Sequence, residues 1–245
     1  MQEEKTSAGG AFLNSTFGRV CELALIFVLP IILIQFAAPY AGDNLVAIQG
    51  VIWIANVLML LLVWQGLRLR GEGWAHFGLR FGRPSRQSVV RAVLLSFAVF
   101  VGGLVAYLIG GGVAQLLPSV PAEADLSGYD FLQGNLPMLL LSLLGVYIVS
   151  SFGEEVVYRG FLINRIAELK PNGRHMRVIA LLGSSVLFGL AHWGWGLAGV
   201  VQTGFMGLGM GIAYLLVGRN LWINVLAHVY MDTILLVQLY LAAPE

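Results

Sequence analysis

Seven runs of about 20 mainly apolar residues, each long enough for a helix to cross a bilayer, divide this chain and leave few folds open to it. By that length criterion they fall at roughly 20–40, 45–65, 92–113, 135–158, 177–195, 197–217 and 221–241. Charge is scarce: 14 Lys and Arg and 13 Asp and Glu among 245 residues, or 11%, against roughly 25% in a soluble domain. So few charges cannot cover the surface of a soluble protein, and a hydrophobic fraction of 58% excludes disorder. A net charge of +1 gives no electrostatic case for a nucleic-acid partner. The single cysteine, Cys21, excludes a disulfide framework and a cysteine metal cluster. The expected fold is all-α: a polytopic transmembrane helical bundle with about seven spans, one membrane domain over 1–245 with the lipid bilayer around it. Merged or re-entrant segments near 193–205 are the weakest point of this map.

The basic residues orient the bundle. Lys5 and Arg19 precede the first span, and Arg68, Arg70, Arg80, Arg83, Arg86 and Arg91 lie at or beyond the end of the second. Arg165, Lys170, Arg174 and Arg177 lie between the fourth and fifth spans, and Arg219 between the sixth and seventh. The alternate loops hold no Lys or Arg and carry Asp43, Glu123, Asp125 and Asp130 instead. By the positive-inside rule the N-terminus is cytoplasmic, with a tail over 1–19, and the C-terminus is outside. The stretch 66–91 mixes Arg with Trp74, Phe77, Leu79 and Phe81 and is expected to lie along the cytoplasmic headgroups as an interfacial segment, its aromatics dipped inward. The first run could instead be a signal peptide, with Ala38 and Ala41 imitating a cleavage site; Glu3, Glu4 and Glu22 argue against it. Gly207 and Gly211 form a GxxxG pair for close helix packing, and Gly110-Gly111-Gly112 is expected to end the third span.

Ionisable residues inside spans are costly and by default mark function. The fourth span ends with Glu154, Glu155 and Arg159, the fifth contains Phe188 and His192, and the seventh contains His228 and Asp232. Glu155 and Arg159 are four apart and can pair on one helix face. Glu154 points elsewhere and has no evident partner in its own span, as suits a general acid or base. His228 and Asp232 share the same spacing, as do Phe188 and His192, where the aromatic would buttress the imidazole. Counting about 1.5 Å per residue, Glu154 and His192 both lie on the order of 25–30 Å from the turn at 170–173 and can face each other across a hairpin. His228 reaches a matching depth if that hairpin protrudes about 10–15 Å from the membrane. The expectation is a polar cavity in the cytoplasmic half, open to cytosolic water. His76 and His175 are expected to be surface residues. Any one of these features alone suits a structural clamp; six such residues in three spans at matched depth point to a site.

The pattern Glu154-Glu155…Arg159, Phe188…His192 and His228…Asp232 resembles the CPBP intramembrane proteases, a family that includes type II CAAX prenyl endopeptidases and bacteriocin-processing or immunity (Abi) proteins. The resemblance covers roughly 135–235, the catalytic helices; the earlier spans match in character only. It implies an intramembrane endopeptidase that hydrolyses a bond in a membrane-anchored peptide or lipidated protein substrate. Glu154 would activate water with help from His192. Glu155 would be fixed by Arg159 and orient the site, while His228 and Asp232 would polarise the carbonyl or stabilise the oxyanion. Many relatives have Asn at the last position, and Asp cannot donate there unless protonated. Glu154, His192, His228 and Asp232 also form a conceivable Zn²⁺ ligand set, so metalloprotease and metal-independent chemistry both stay open, the latter preferred. Ser150, Ser151, Ser184 and Ser185 lie near the motifs without a nucleophile elbow. A prenylated CAAX substrate is one choice among membrane-tethered peptides, since many prokaryotic cells lack it; a multi-pass prokaryotic plasma membrane is preferred to the ER. Two other functions compete: a non-catalytic partner-binding or immunity protein, and a proton-coupled transporter, for which no inverted repeat is evident.

Overall fold

The computed structural model describes residues 8–170 and 174–242, and its elements among them are all helical. Helix α1 is Ala8–Asn14, α2 Thr16–Ala41, α3 Leu45–Arg70 and α4 Arg86–Gln115. Helix α5 runs over Leu136–Ala167, α6 over Arg174–Ala191, α7 over Gly196–Leu216 and α8 over Leu221–Leu241. Six of these helices are long and apolar enough to span a bilayer; the expected seventh, α6, is shorter, with an apolar stretch over His175–Ala191. It ends before the expected 195 because a 3₁₀ turn at Trp193–Trp195 and Gly196, at φ 72°, reverse the chain into α7.

The helix starts are written in the short polar residues between apolar runs. Ser15, Asn44, Ser85 and Asn135 each accept a hydrogen bond from the backbone N–H three residues on, which satisfies a donor otherwise orphaned at the first turn. Gly71 closes α3 in the left-handed conformation. Large apolar side chains such as Phe36, Leu94, Phe97 and Leu144 face outward, as a lipid-solvated surface requires and an aqueous one does not.

Because lipid is as apolar as leucine, helix contact in a membrane rests on close fit and buried polar bonds. Gly207 meets the Phe188 ring, Gly211 meets Leu181, and Gly209 meets Ala106, so α7 lies close against α6 and α4. The glycine run at 110–112 does not end the third span. Helix α4 continues to Gln115, and Gly110 is where the backbone of α7 approaches at Gln202 and Phe205. Polar ties complete the frame. Arg70 binds Glu22 at 2.5 and 2.7 Å and joins α3 to α2, while Arg165 pairs with Glu72 and Glu168.

The segment 66–91 differs from expectation. Phe77 and Leu79 are fully buried within the protein core rather than in headgroups. Phe77 packs on Gly160 and edge-on to Phe161, and only Phe81 stays largely exposed, against Trp222. An aromatic segment beside a bundle end gains as much from the protein core as from the lipid interface. His76 is likewise tied, through Nε2, to Glu168 at 2.9 Å. Within the expected tail 1–19, residues 1–7 lie outside the described residues; Ala8–Asn14 is helical and packs on α2 and α3.

Candidate active site

Helix α5 carries the first motif, and over Tyr147–Leu162 its hydrogen bonds widen to the π form. Such stretches are rare and concentrate at functional sites, because they turn side chains out of the α-helical phase. Glu155 and Arg159 nevertheless pair as their spacing predicts, Nη1 to Oε1 at 2.7 Å, with both side chains fully buried. The guanidinium also lies 4.3 Å from the centre of the Phe188 ring, a cation–π contact strengthened by desolvation.

Across from α5, α8 brings His228 to the same carboxylate. Nδ1 of His228 lies 2.9 Å from Oε1 of Glu155. The Arg-paired carboxylate can only accept, so Nδ1 carries the proton and Nε2 is directed at the remaining groups. Those are Ser150 Oγ at 3.5 Å, Asp232 Oδ1 at 3.7 Å and Glu154 Oε2 at 4.0 Å. Oε2 of Glu154 is buried and has no hydrogen-bond partner. Asp232 Oδ2 accepts a 2.6 Å bond from Ser151 Oγ.

His192, at the end of α6, donates Nδ1–H to the Phe188 carbonyl at 2.8 Å. Its ring packs on Phe188 at 4.9 Å and on Trp195 at 4.8 Å, the buttress expected from the Phe-x-x-x-His spacing. Among the described residues, no hydrogen bond or ion pair joins His192 to Glu154. The pair that meets directly is Glu155 and His228, and the two helices that bring them together are α5 and α8.

Glu154, His192, His228 and Asp232 all line one cavity of about 620 Å³. Its wall also includes Gln49, Asn56, Tyr107 and Ser150, and no Lys or Arg. The loop between α4 and α5 covers one end. Asp125 N–H donates to the Trp195 carbonyl at 3.0 Å, and Tyr129 packs edge-on to Trp195. Burial pushes the Tyr129 hydroxyl up to about 12, with the carboxylates of Glu154 and Asp232 adding to the rise and a hydrogen bond with Trp195 opposing it. It stays a protonated donor throughout the physiological range. These loop residues carry no charge inside a span and were invisible to a search for one; Ser151 had only its proximity to the motif to mark it.

The cavity draws its wall from several helices. Its lining comes from Leu45–Asn56 of α3, from Phe100–Tyr107 of α4 and from α8 as far as Gln238, the helix halves away from the basic loops. For the conceivable Zn²⁺ set, no three His, Cys, Asp or Glu side chains group to hold a metal ion among the described residues.

Comparison with known proteins bears on this helical core. A family model described as type II CAAX prenyl endopeptidase Rce1-like matches residues 136–234. No curated protein and no solved structure gives a significant match. The matched stretch starts at the first turn of α5, runs into α8 and contains all six residues of the charged cluster. Over residues 136–234 the chain is therefore similar to the Rce1-like type II CAAX prenyl endopeptidases.

Proposed function

We propose that the protein is an intramembrane endopeptidase that hydrolyses a membrane-anchored peptide with a water activated by Glu154. The observation that carries this reading is the 4.0 Å separation of Glu154 Oε2 from His228 Nε2 at the cavity wall. Glu154 keeps 14% of its side chain exposed at that wall, where a water can reach it.

In this mechanism Glu154 takes a proton from the water as its oxygen bonds to the scissile carbonyl carbon. His228, protonated at both ring nitrogens and held by Glu155 through Nδ1, donates Nε2–H to the developing oxyanion. Collapse breaks the C–N bond. The proton on Glu154 passes to the departing amine, and the acid and amine products share the remaining proton as one new carboxylate and one new ammonium. Arg159 keeps Glu155 ionised and fixed, and Asp232, held by Ser151, limits how His228 can turn. His192 bounds the cavity wall, its Nε2 open to the lumen because Nδ1 is committed to Phe188. The membrane setting and a lining without Lys or Arg among the described residues suit an apolar, lipid-tethered chain.

Purified protein in lipid nanodiscs should cleave a lipid-anchored fluorogenic peptide, and Glu154→Gln and His192→Ala should lose that activity while remaining folded. Full activity in both variants would sink the assignment. If Glu154→Gln instead preserves both partner complexes and cellular phenotype, the partner-binding reading takes its place.

One observation favours a second mechanism. Ser150 Oγ, His228 Nε2, His228 Nδ1 and Glu155 Oε1 form a continuous line with gaps of 3.5 and 2.9 Å, the order a serine nucleophile, its base and an orienting acid would need. Ser150→Ala separates the two. The water mechanism retains most activity in that variant; the serine mechanism loses it.

A further inference from the structure

After α4 the chain changes character. Pro118 and Pro121 stop the helix, and Gly128 and Gly134 keep residues 116–135 in a loop before α5. This loop is pinned rather than loose. Leu132 is fully buried against Leu139, Val146 and Leu236. The Gly134 N–H donates to the Tyr240 carbonyl at 3.0 Å, and the Asp125 N–H donates to the Trp195 carbonyl at 3.0 Å. Asp125 itself accepts from the Ser127 N–H at 3.0 Å and from Ser127 Oγ at 2.7 Å. The loop lies outside residues 136–234, which carry the family match.

Held in this way, the 3₁₀ turn over Ser127–Leu132 sets Tyr129 into the wall of the cavity that also holds Glu154, His228 and Asp232. The Tyr129 ring stands edge-on to Trp195 at 6.2 Å, and Trp195 packs in turn on His192 at 4.8 Å. An indole N–H can only donate, so the phenol oxygen is the acceptor in the hydrogen bond between Trp195 and Tyr129. The phenol proton is then uncommitted: among the described residues no group accepts it. Burial keeps that proton on the oxygen at physiological pH. A ring that only buttressed Trp195 would serve as well without its hydroxyl. A hydroxyl anchored through its oxygen, with its own proton free at a cavity wall, is a preorganised donor.

Taking the peptidase reading as given, we propose that Tyr129 is a substrate-binding residue, its hydroxyl donating to a backbone carbonyl of the membrane-anchored peptide. The bound carbonyl is one flanking the scissile bond, because Glu154 and His228 engage the scissile one. The ionised carboxylates of the same wall can only accept and cannot fill this role. A flanking carbonyl carries the same charge in the ground state and the transition state, so the bond acts on binding rather than on the chemical step. Trp195 is the positioning residue, since its N–H fixes the direction of the Tyr129 proton.

Direct binding tests this without requiring catalysis. The probe is a fluorescent, lipid-anchored peptide whose scissile amide is reduced to a methyleneamine, so that the flanking carbonyls remain and cleavage is blocked. Its Kd is read by anisotropy on the full chain in lipid nanodiscs. Tyr129→Phe keeps the ring against Trp195 and should weaken binding about threefold to tenfold, the scale of one neutral hydrogen bond, with an unchanged thermal midpoint. On the cleavable peptide KM should rise by the same factor while kcat stays within about twofold of wild type. Trp195→Phe should weaken binding as well, and the double variant should bind no worse than Tyr129→Phe alone, because one oriented proton can be lost only once. An unchanged Kd in Tyr129→Phe, a loss confined to kcat, or a wild type that does not bind the probe overturns the proposal. Losses that multiply in the double variant overturn the role given to Trp195. Cleavage by the wild type is scored separately: Tyr129-dependent binding without any cleavage supports the contact and ends the peptidase reading.

Discussion

His228 and Glu155 meet between α8 and α5 through a single 2.9 Å bond, Nδ1 to Oε1, with both side chains almost completely shielded. That bond decides which imidazole nitrogen reaches the cavity. It also links the histidine to the buried Glu155–Arg159 pair, so orientation of the site and stability of the helix packing share one carboxylate.

The two adjacent glutamates should therefore respond oppositely to the same substitution. Glu155→Gln leaves Arg159 buried without its counter-charge, and breaking a buried pair costs about 3–5 kcal/mol. Its thermal midpoint in detergent should fall steeply. Glu154→Gln removes a carboxylate oxygen that has no partner, so its midpoint should hold or rise while cleavage disappears. Equal midpoints for the two variants would contradict the assigned roles.

Phe188 serves Arg159 on one side and His192 on another. Phe188→Leu keeps most of the apolar volume but loses both ring contacts, about 1–2 kcal/mol for a desolvated cation–π contact alone. Calorimetry of the variant should register that loss, with a reduced cleavage rate. A variant as stable and active as wild type would show that the ring only fills space.

Asp232→Asn tests whether the last motif residue works as a charge. Asn still offers Ser151 an amide oxygen in place of the 2.6 Å carboxylate acceptor. Steady-state cleavage should stay within about tenfold of wild type, whereas Asp232→Ala should fall by about a hundredfold, the scale of losing one positioned polar group in a site. Collapse of the Asn variant to the level of the Ala variant would make the negative charge itself necessary.

The ion cluster outside the spans gives a pH signature. Burial disfavours the Glu168 carboxylate, but hydrogen bonds with His76 and Arg165 and the Arg165 charge outweigh it, lowering its pKa from 4.5 to about 2. A carboxylate lowered on folding contributes stability fully above its unfolded value, and loses it as pH falls toward the folded one. The excess thermal stability of wild type over Glu168→Gln should be present at pH 6 and shrink between 4.5 and 2. A gap that widens on acidification would reverse the sign of the linkage.

Much of this arrangement was legible in the residues because charge is expensive in lipid. The spacing of Glu155 and Arg159, of Phe188 and His192, and of His228 and Asp232 predicted their shared faces. Partners between helices were not legible. Glu154 and His192 line one cavity without a bond between them, and it is Glu155 that bonds to His228 of α8. Nor did composition distinguish an aromatic segment lying in headgroups from one plugging a bundle. Phe77 and Leu79 satisfy either description, and both are fully buried in the protein.

The central claim is that Glu154 and His228 act on one water and one carbonyl, and a double-mutant cycle on kcat/KM tests it most directly. Loss of a general base removes about 10²–10⁴ in rate, so Glu154→Gln and His228→Gln should each be severely impaired. Groups that act as one unit are not additive. The account predicts that the double variant cleaves no more than about tenfold slower than the worse single variant. Losses that multiply in full would contradict it, because the two residues would then act independently.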